Sequence, residues 1–410
     1  MNNHSVQISV LPLVLAWALG AATPVWAVGP TSAVGPTSDC KEVRPGLEVK
    51  GTAPVQVEKW TSGLEVPWGL GFLPTGEALV TERPGRVRLV KASGELVTHP
   101  VVTIEVGERG EGGLLGLAID PKFSAKKRPY FYVFYTTTGG MNRVVRYQLS
   151  ADLTTATVDK VIIKDFLAGT FHNGGRLRFG PDGNLYVGTG DGRNAPLAQD
   201  INSLNGKILR VTADGDIPAD NPFPGKPTYI YGLRNVEGFD WLDRDTMMIS
   251  DHGPTGEVNG WSGYDELNVA RAGMNLGWPV VHGCDSHEGM VAPLMTWKEA
   301  LPPGGAVLYH GDSIPEWKGT YLIGVLGFAY ENARRLSQIM FQYQDRVAGG
   351  AKEQVYFYGA KPVGYGRLRD VVEGPGGALF VTTSNCDGRG DCGPEKDQIL
   401  KMTGSGAHSR

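Results

Sequence analysis

The feature that most constrains this chain is a six-fold recurrence of an apolar run, a Pro/Gly/Asp turn and a second apolar run. Phe72-Leu-Pro-Thr-Gly-Glu-Ala-Leu-Val is the first clear copy, and Phe179-Gly-Pro-Asp-Gly-Asn-Leu-Tyr-Val is the cleanest. Weaker copies begin at Ile119, Trp241 and Ile314, and the last is Glu373-Gly-Pro-Gly-Gly-Ala-Leu-Phe-Val. The copies lie about 47 to 73 residues apart, as in repeat architectures built from one supersecondary unit. Each reads as a hairpin of two half-buried strands about a tight turn, with Gly or Asp where the backbone needs an unusual φ. A lone hairpin cannot bury its faces; radial repetition of four-stranded blades buries them and leaves only short, protected edges. The expected fold is therefore all-β, a six-bladed β-propeller with long loops at one mouth.

Composition agrees. Glycine (58) and proline (27) make up about a fifth of the 410 residues, against an average of roughly 12%, which favours turns over long helices. The propeller is expected over residues 51–404, at about 60 residues per blade, where a minimal blade needs roughly 40–45. The surplus falls to loops, and loops on a rigid scaffold are where binding and catalytic groups sit. Closure is expected between Val55-Gln-Val-Glu-Lys-Trp and Gln398-Ile-Leu-Lys-Met, alternating runs at opposite ends of the fold.

Residues 1–27 read as a signal peptide: the run from Val6 is almost wholly apolar and ends in Val25-Trp-Ala, a small-residue cleavage site. No Lys or Arg precedes Lys41, and an uncleaved anchor is the alternative, although Pro12, Gly20 and Pro24 interrupt the run. Residues 28–50, opening on a duplicated Val-Gly-Pro-Thr-Ser, read as a flexible linker, and 405–410 as a disordered tail. Export implies a periplasmic or secreted protein with no membrane insertion once the leader is cut. In an oxidising compartment Cys386 and Cys392, flanking Asp-Gly-Arg-Gly-Asp, either bridge or remain separate thiols. A Cys40–Cys284 pair follows only by elimination. With 39 basic and 43 acidic residues and a net charge of −4, nucleic acid is not an expected partner; a small molecule is.

Four loop clusters hold chemistry. They are Gly110-Glu-Gly-Gly-Leu-Leu-Gly; Phe171-His-Asn-Gly-Gly-Arg-Leu; Gly232-Leu-Arg-Asn-Val-Glu-Gly with Ser250-Asp-His-Gly-Pro, Asp265-Glu-Leu-Asn and Gly273-Met-Asn-Leu-Gly-Trp-Pro; and Tyr365-Gly-Arg-Leu-Arg-Asp. Each lies between a strand end and the next blade. His172 suits a general base, because imidazole titrates near neutrality. Arg176 reads as a structural blade residue. Arg367 and Arg369 face opposite ways on a regular strand, so only a local bend brings both to one mouth. Gly188-Thr-Gly-Asp-Gly follows a hairpin and opens no helix, so it is not a dinucleotide motif.

Six blades and these clusters, in this order from about Val66 to Leu400, resemble the soluble quinoprotein sugar dehydrogenases of the glucose/sorbosone and aldose sugar dehydrogenase family. The resemblance implies oxidation of an aldose or related alcohol to a lactone or carbonyl product, with pyrroloquinoline quinone and calcium as cofactors and an external electron acceptor. It implies that His172 takes the hydroxyl proton as hydride leaves, and that Arg234 and Asn235 donate to the quinone oxygens. Arg367 and Arg369 would meet the cofactor carboxylates, with Glu111, His252 and Trp297 also at the cofactor. Gly253 and Pro254 would hold one calcium through carbonyls, and Glu266 with the Leu276 carbonyl a second. The chain departs from the pattern at Glu111 and near Ala195, where the family has Gln, and at Gly327, where the glucose dehydrogenase branch has Lys. The insert Thr255–Tyr264 is also longer than the pattern. The aldose sugar dehydrogenase branch is the nearer match. A propeller kept as a binding module, and a calcium-dependent lactonase-type hydrolase, are the alternatives.

Overall fold

The computed structural model describes residue 1 and residues 35–44, 49–327, 333–359 and 363–406. The expected leader, the first part of the expected linker and most of the expected tail lie outside these residues. Blade 1 comprises strands Pro67–Phe72, Ala78–Glu82, Arg86–Val90 and Val102–Thr103; blade 2, Leu114–Ile119, Tyr130–Thr136, Met141–Leu149 and Ala156–Leu167. Blade 3 comprises Gly174–Phe179, Leu185–Thr189, Lys207–Val211 and Thr228–Tyr231; blade 4, Val236–Trp241, Met247–Asp251, Asp265–Ala270 and Met295–Trp297. Blade 5 comprises Pro303–Leu308, Tyr321–Val325, Arg335–Gln344 and Val347–Tyr356. Blade 6 comprises Leu368–Glu373, Leu379–Thr383 and Asp397–Gly404, completed by Val55–Leu64 from the other end of the fold.

This is a six-bladed β-propeller, and all six sequence repeats fall on the hairpin between the first and second strands of a blade. Closure is the expected one: Val55–Leu64 runs antiparallel to Asp397–Gly404, with Lys59 opposite Leu400. The second strands Ala78–Glu82, Leu185–Thr189, Tyr321–Val325 and Leu379–Thr383 are buried along their whole length, because neighbouring blades cover both faces. Six apolar clusters fill the six seams between adjacent blades. Phe131 and Val133 of blade 2 pack with Leu79 of blade 1, for example, and all three are fully buried. Burying each such side chain contributes about 1.5–3 kcal/mol.

The expected linker is not free over its described part. Lys41–Val43 pairs in parallel with Met295–Trp297, Val49–Lys50 pairs in parallel with Val347–Tyr356, and Cys40 is bonded to Cys284. Edge strands of two or three residues carry no turn signature, which is why composition alone reads this stretch as a tether.

One backbone feature positions the site. Every innermost strand has a register shift near its start: after Pro67, Leu114, Gly174, Val236, Pro303 and Leu368. A bulge bends a strand and re-aims a side chain. Three of them, in blades 1, 4 and 6, bring Trp68, Glu237 and Arg369 to the mouth.

Candidate active site

A cavity of about 520 Å³ opens at the mouth where the innermost strands begin and the second strands end. Three bulge residues, Trp68, Glu237 and Arg369, line it, together with Arg367 two positions before Arg369. The bulge between Leu368 and Asp370 supplies the bend that two arginines spaced by one residue need in order to share a site. Below them Arg176 is buried, its guanidinium 4.5 Å from the Trp68 ring and its Nη1 2.7 Å from Asp370 Oδ2. That agrees with its reading as a structural residue.

His172 lines the cavity in a left-handed backbone conformation, φ 63°. The tight turn around it depends on glycine: a Cβ on Gly190 would collide with the His172 carbonyl oxygen. His172 Nδ1 is 2.8 Å from Asp191 Oδ1. A carboxylate only accepts, so the ring proton belongs on Nδ1 and the lone pair on Nε2. Nε2 has no hydrogen-bond partner among the described residues, and His172 lines the cavity. Asp191 also accepts the Arg193 amide on Oδ1 (2.7 Å) and the Trp278 indole N–H on Oδ2 (2.9 Å). Three donors thus converge on one buried carboxylate and fix its orientation. Asp191 belongs to the Gly188–Gly192 segment, whose sequence gives only a strand end.

Glu111 lies across the mouth. Its Oε2 accepts the His172 amide (3.1 Å) and its Oε1 accepts Arg389 Nη1 (3.0 Å). Burial alone raises its carboxyl, but His252, Arg389 and the His172 N–H bring it down to about 2. Glu111 therefore brackets the His172 loop as well as facing the cavity.

Arg234 lines the cavity with its Nε on Glu257 and its Nη2 on Thr255 Oγ1 (2.9 Å), both from the long insert. Thr255 and Ser262 form a bridge that makes the insert a small hairpin. Asn235 is fully buried and does not line the cavity. Its oxygen accepts the Gly174 amide (2.9 Å), and its Nδ2 is shared between Glu237 Oε1 (3.2 Å) and His252 Nδ1 (3.3 Å). His252 donates from Nε2 to the Pro303 carbonyl (2.7 Å), and burial pushes its pKa down to about 4. With both ring nitrogens engaged, it presents a neutral ring to the cavity. Glu237 accepts Arg369 Nη1 at 3.0 Å, while burial pulls its carboxyl up to about 7 against that guanidinium.

The groups present fit a polyanionic planar cofactor and a hard cation. Arg367 pairs with Asp387 and stays charged at neutral pH, burial lowering it only to about 10. Arg369 Nε is buried without a hydrogen-bond partner among the described residues, leaving a donor for a carboxylate. Gly253 and Pro254 are at the cavity wall, where carbonyl oxygens suit calcium. Glu266 and Leu276 lie behind that wall rather than on it. Beside Glu266, Asn268 donates Nδ2 to Oε2 (3.1 Å) and keeps its own oxygen buried without a partner among the described residues. Burial, then the Asp251 carboxylate, raises Glu266 to about 8, an environment that a cation would relieve. Among the described residues no three His, Cys, Asp or Glu side chains converge as a metal-binding group, the arrangement a metal-dependent hydrolase needs.

Trp297 does not reach the cavity. It sits on the outer strand of blade 4, 3% exposed in the seam with blade 5, its indole N–H 3.1 Å from Glu353 Oε2. Outer strands are remote from the axis, and the aromatic rings at the mouth are instead Trp68 and Phe171. Sequence reasoning also missed Asp191, Glu237, Asp387 and Arg389. Aligning the six repeats signals Trp68, Glu237 and Arg369, each the second residue of its innermost strand.

Comparison with known proteins gives the family. The family model described as Glucose / Sorbosone dehydrogenase matches residues 64–392. Aldose sugar dehydrogenase YliI of Escherichia coli is 30% identical over 363 residues, 82% of this chain and 92% of that protein. Quinoprotein glucose dehydrogenase B of Acinetobacter calcoaceticus is 32% identical over 264 residues, 56% of this chain and 53% of that protein. The solved PQQ-bound form of aldose sugar dehydrogenase from Streptomyces coelicolor has a TM-score of 0.73 at 33% identity, covering 86% of this chain and 99% of that one. Running from the strand that closes blade 6 to the end of the Cys386–Cys392 loop, the match includes strands of every blade and every wall of the cavity: the chain belongs to the glucose/sorbosone dehydrogenase family.

Proposed function

We propose that this protein oxidises an aldose or a related alcohol to a lactone or carbonyl product, with pyrroloquinoline quinone and calcium as cofactors. The observation that carries the reading is His172, which lines the cavity, is held on Nδ1 by Asp191 and keeps Nε2 without a hydrogen-bond partner among the described residues. In that tautomer Nε2 accepts the proton of a substrate hydroxyl, and the fixed carboxylate stabilises the imidazolium that results. Bound quinone supplies the hydride acceptor. Arg367 and Arg369 would hold its carboxylates, and the Gly253 and Pro254 carbonyls would hold a calcium ion. The Arg234 guanidinium, which lines the cavity, would supply a cation for the negative charge on the quinone oxygens. Glu266 with the Leu276 carbonyl holds a second calcium. Trp68 and the His252 ring give the cavity apolar faces for a planar group.

Two disulfides support a periplasmic or secreted location, and no helix among the described residues is long and apolar enough to cross a membrane. Electrons then pass to an external acceptor. The test is to add pyrroloquinoline quinone and calcium to the purified protein and follow reduction of an artificial acceptor across a panel of aldoses and polyols. Cofactor-dependent reduction is expected with at least one aldose; no cofactor retention and no turnover would refute the reading.

A further inference from the structure

We propose that the loop closed by the Cys386–Cys392 disulfide is a positioning element that couples the arginine side of the cavity to His172; this rests on the dehydrogenase reading only for its effect on catalysis. The two cysteines are six positions apart, with Cα atoms 4.5 Å apart. Two of the residues between them, Asp387 and Arg389, line the cavity.

Asp387 works toward blade 6. Its Oδ2 accepts Arg367 Nε (3.0 Å) and Ser384 Oγ (3.1 Å), and lies 3.9 Å from Arg369 Nη2. Its Oδ1 accepts the Arg389 amide (3.0 Å), so the turn and the ion pair are set by one carboxylate. The loop lies directly on the arginine: a Cβ added to Gly390 would come within 2.9 Å of Arg367 Cδ. Arg389 works across the mouth. Its Nη1 donates to Glu111 Oε1 (3.0 Å), and Glu111 Oε2 accepts the His172 amide (3.1 Å). A continuous set of contacts thus runs from Arg367 through Asp387, Arg389 and Glu111 to the backbone of His172.

The Arg389–Glu111 pair is partly solvated, with side-chain exposures of 34% and 24%, and a pair of that kind holds little on its own. A cross-link that removes the loop's freedom keeps Arg389 in place to make it. At its base the loop is fixed by Asp397, which accepts the amides of Asn385 (2.6 Å) and Cys386 (3.2 Å); the disulfide fixes the returning end. Asp387 and Arg389 are accordingly positioning residues, acting through Arg367 and through Glu111.

The test compares a Cys386→Ser/Cys392→Ser variant with a Cys40→Ser/Cys284→Ser variant, since neither Cys40 nor Cys284 lines the cavity. Two readouts are taken: pyrroloquinoline quinone affinity by titration with calcium present, and amide hydrogen exchange of the segments holding Glu111 and His172. We expect the first variant to bind the quinone roughly tenfold more weakly and to exchange faster at His172, with the second like the wild type in both. Exchange at His172 unchanged in the Cys386/Cys392 variant would overturn the coupling, whatever the affinity. If the wild type itself binds no quinone, the dehydrogenase reading fails while exchange still decides the coupling. Should the double variant not fold, Arg389→Gln keeps the disulfide and cuts only the Glu111 contact; faster exchange at His172 supports the coupling, and wild-type exchange overturns it.

Discussion

Replacing Asp191 by asparagine changes almost no volume and reverses the logic of the site. Asp191 receives three donors: the His172 ring on Nδ1 at 2.8 Å, the Arg193 amide at 2.7 Å and the Trp278 indole at 2.9 Å. An amide offers one oxygen and one NH2 group, so one side of the substituted side chain must oppose donors. If its oxygen stays with Trp278, its NH2 points at His172 Nδ1 and opposes the Arg193 N–H, and the imidazole moves its proton to Nε2. A ring protonated there cannot take a proton from a hydroxyl. If the amide flips, the Trp278 indole loses its acceptor inside a buried pocket, at a cost of about 1–3 kcal/mol. General-base catalysis typically contributes about 10² to 10⁴ in rate, or about 2.7 to 5.4 kcal/mol at roughly 1.36 kcal/mol per tenfold. Steady-state turnover of an aldose by the quinone-loaded Asp191→Asn enzyme should therefore fall at least about a hundredfold in kcat, while quinone affinity, proposed to rest on Arg367, Arg369 and the Gly253 and Pro254 carbonyls, should stay close to wild type. A loss of less than about tenfold, or a matching loss of cofactor affinity, would refute the orientation argument.

Further outcomes follow from the same geometry. His252 is buried neutral, its pKa depressed to about 4 from an ordinary value of about 6.5, so its contribution to stability is fully present above about pH 6.5 and is lost as pH falls toward 4. Urea midpoints of the wild type should drop across that window more than those of His252→Gln; parallel curves would contradict the burial. Arg369→Ala takes the cation from Glu237, whose buried carboxyl then takes up a proton, and should cost about 1–3 kcal/mol in urea unfolding; a change under about 1 kcal/mol would mean that the pair is solvated. Chelating calcium should lower the melting temperature and release the quinone, and calcium at about a hundred times its Kd should restore about 2.7 kcal/mol per site. A melting temperature indifferent to calcium would remove both proposed sites.

The propeller was legible because its information is local and repeated. Each hairpin turn, such as Gly180-Pro181-Asp182-Gly183, announces itself in four residues, and six of them leave few ways to close a chain. The closing strand pair was legible for the same reason, as two alternating runs with no other partner. What local pattern does not carry is contact across the mouth. Asp191 reaches His172 only because Gly190 lets two turns approach, and Asp387 reaches Arg367 only through a cross-linked loop. Asn235 and Trp297 show the converse. Asn235 was expected at the cofactor and instead holds the Gly174 amide behind the wall. Trp297 has the chemistry of a stacking residue, but its position on an outer strand sends it into a seam. The two arginines at 367 and 369 required a bulge that no composition rule specifies, although the same bulge recurs in all six blades.

The central claim is that this mouth binds a quinone so that His172 can deprotonate a sugar hydroxyl beside it. Its most direct test is a single titration of pyrroloquinoline quinone into the calcium-loaded protein, monitored by the quinone absorbance, followed by addition of an aldose. Saturable binding at one quinone per chain and loss of the oxidised absorbance on adding sugar are expected, with binding but no bleaching in His172→Ala. A protein that binds no quinone, or a His172→Ala variant that bleaches at the wild-type rate, would contradict it.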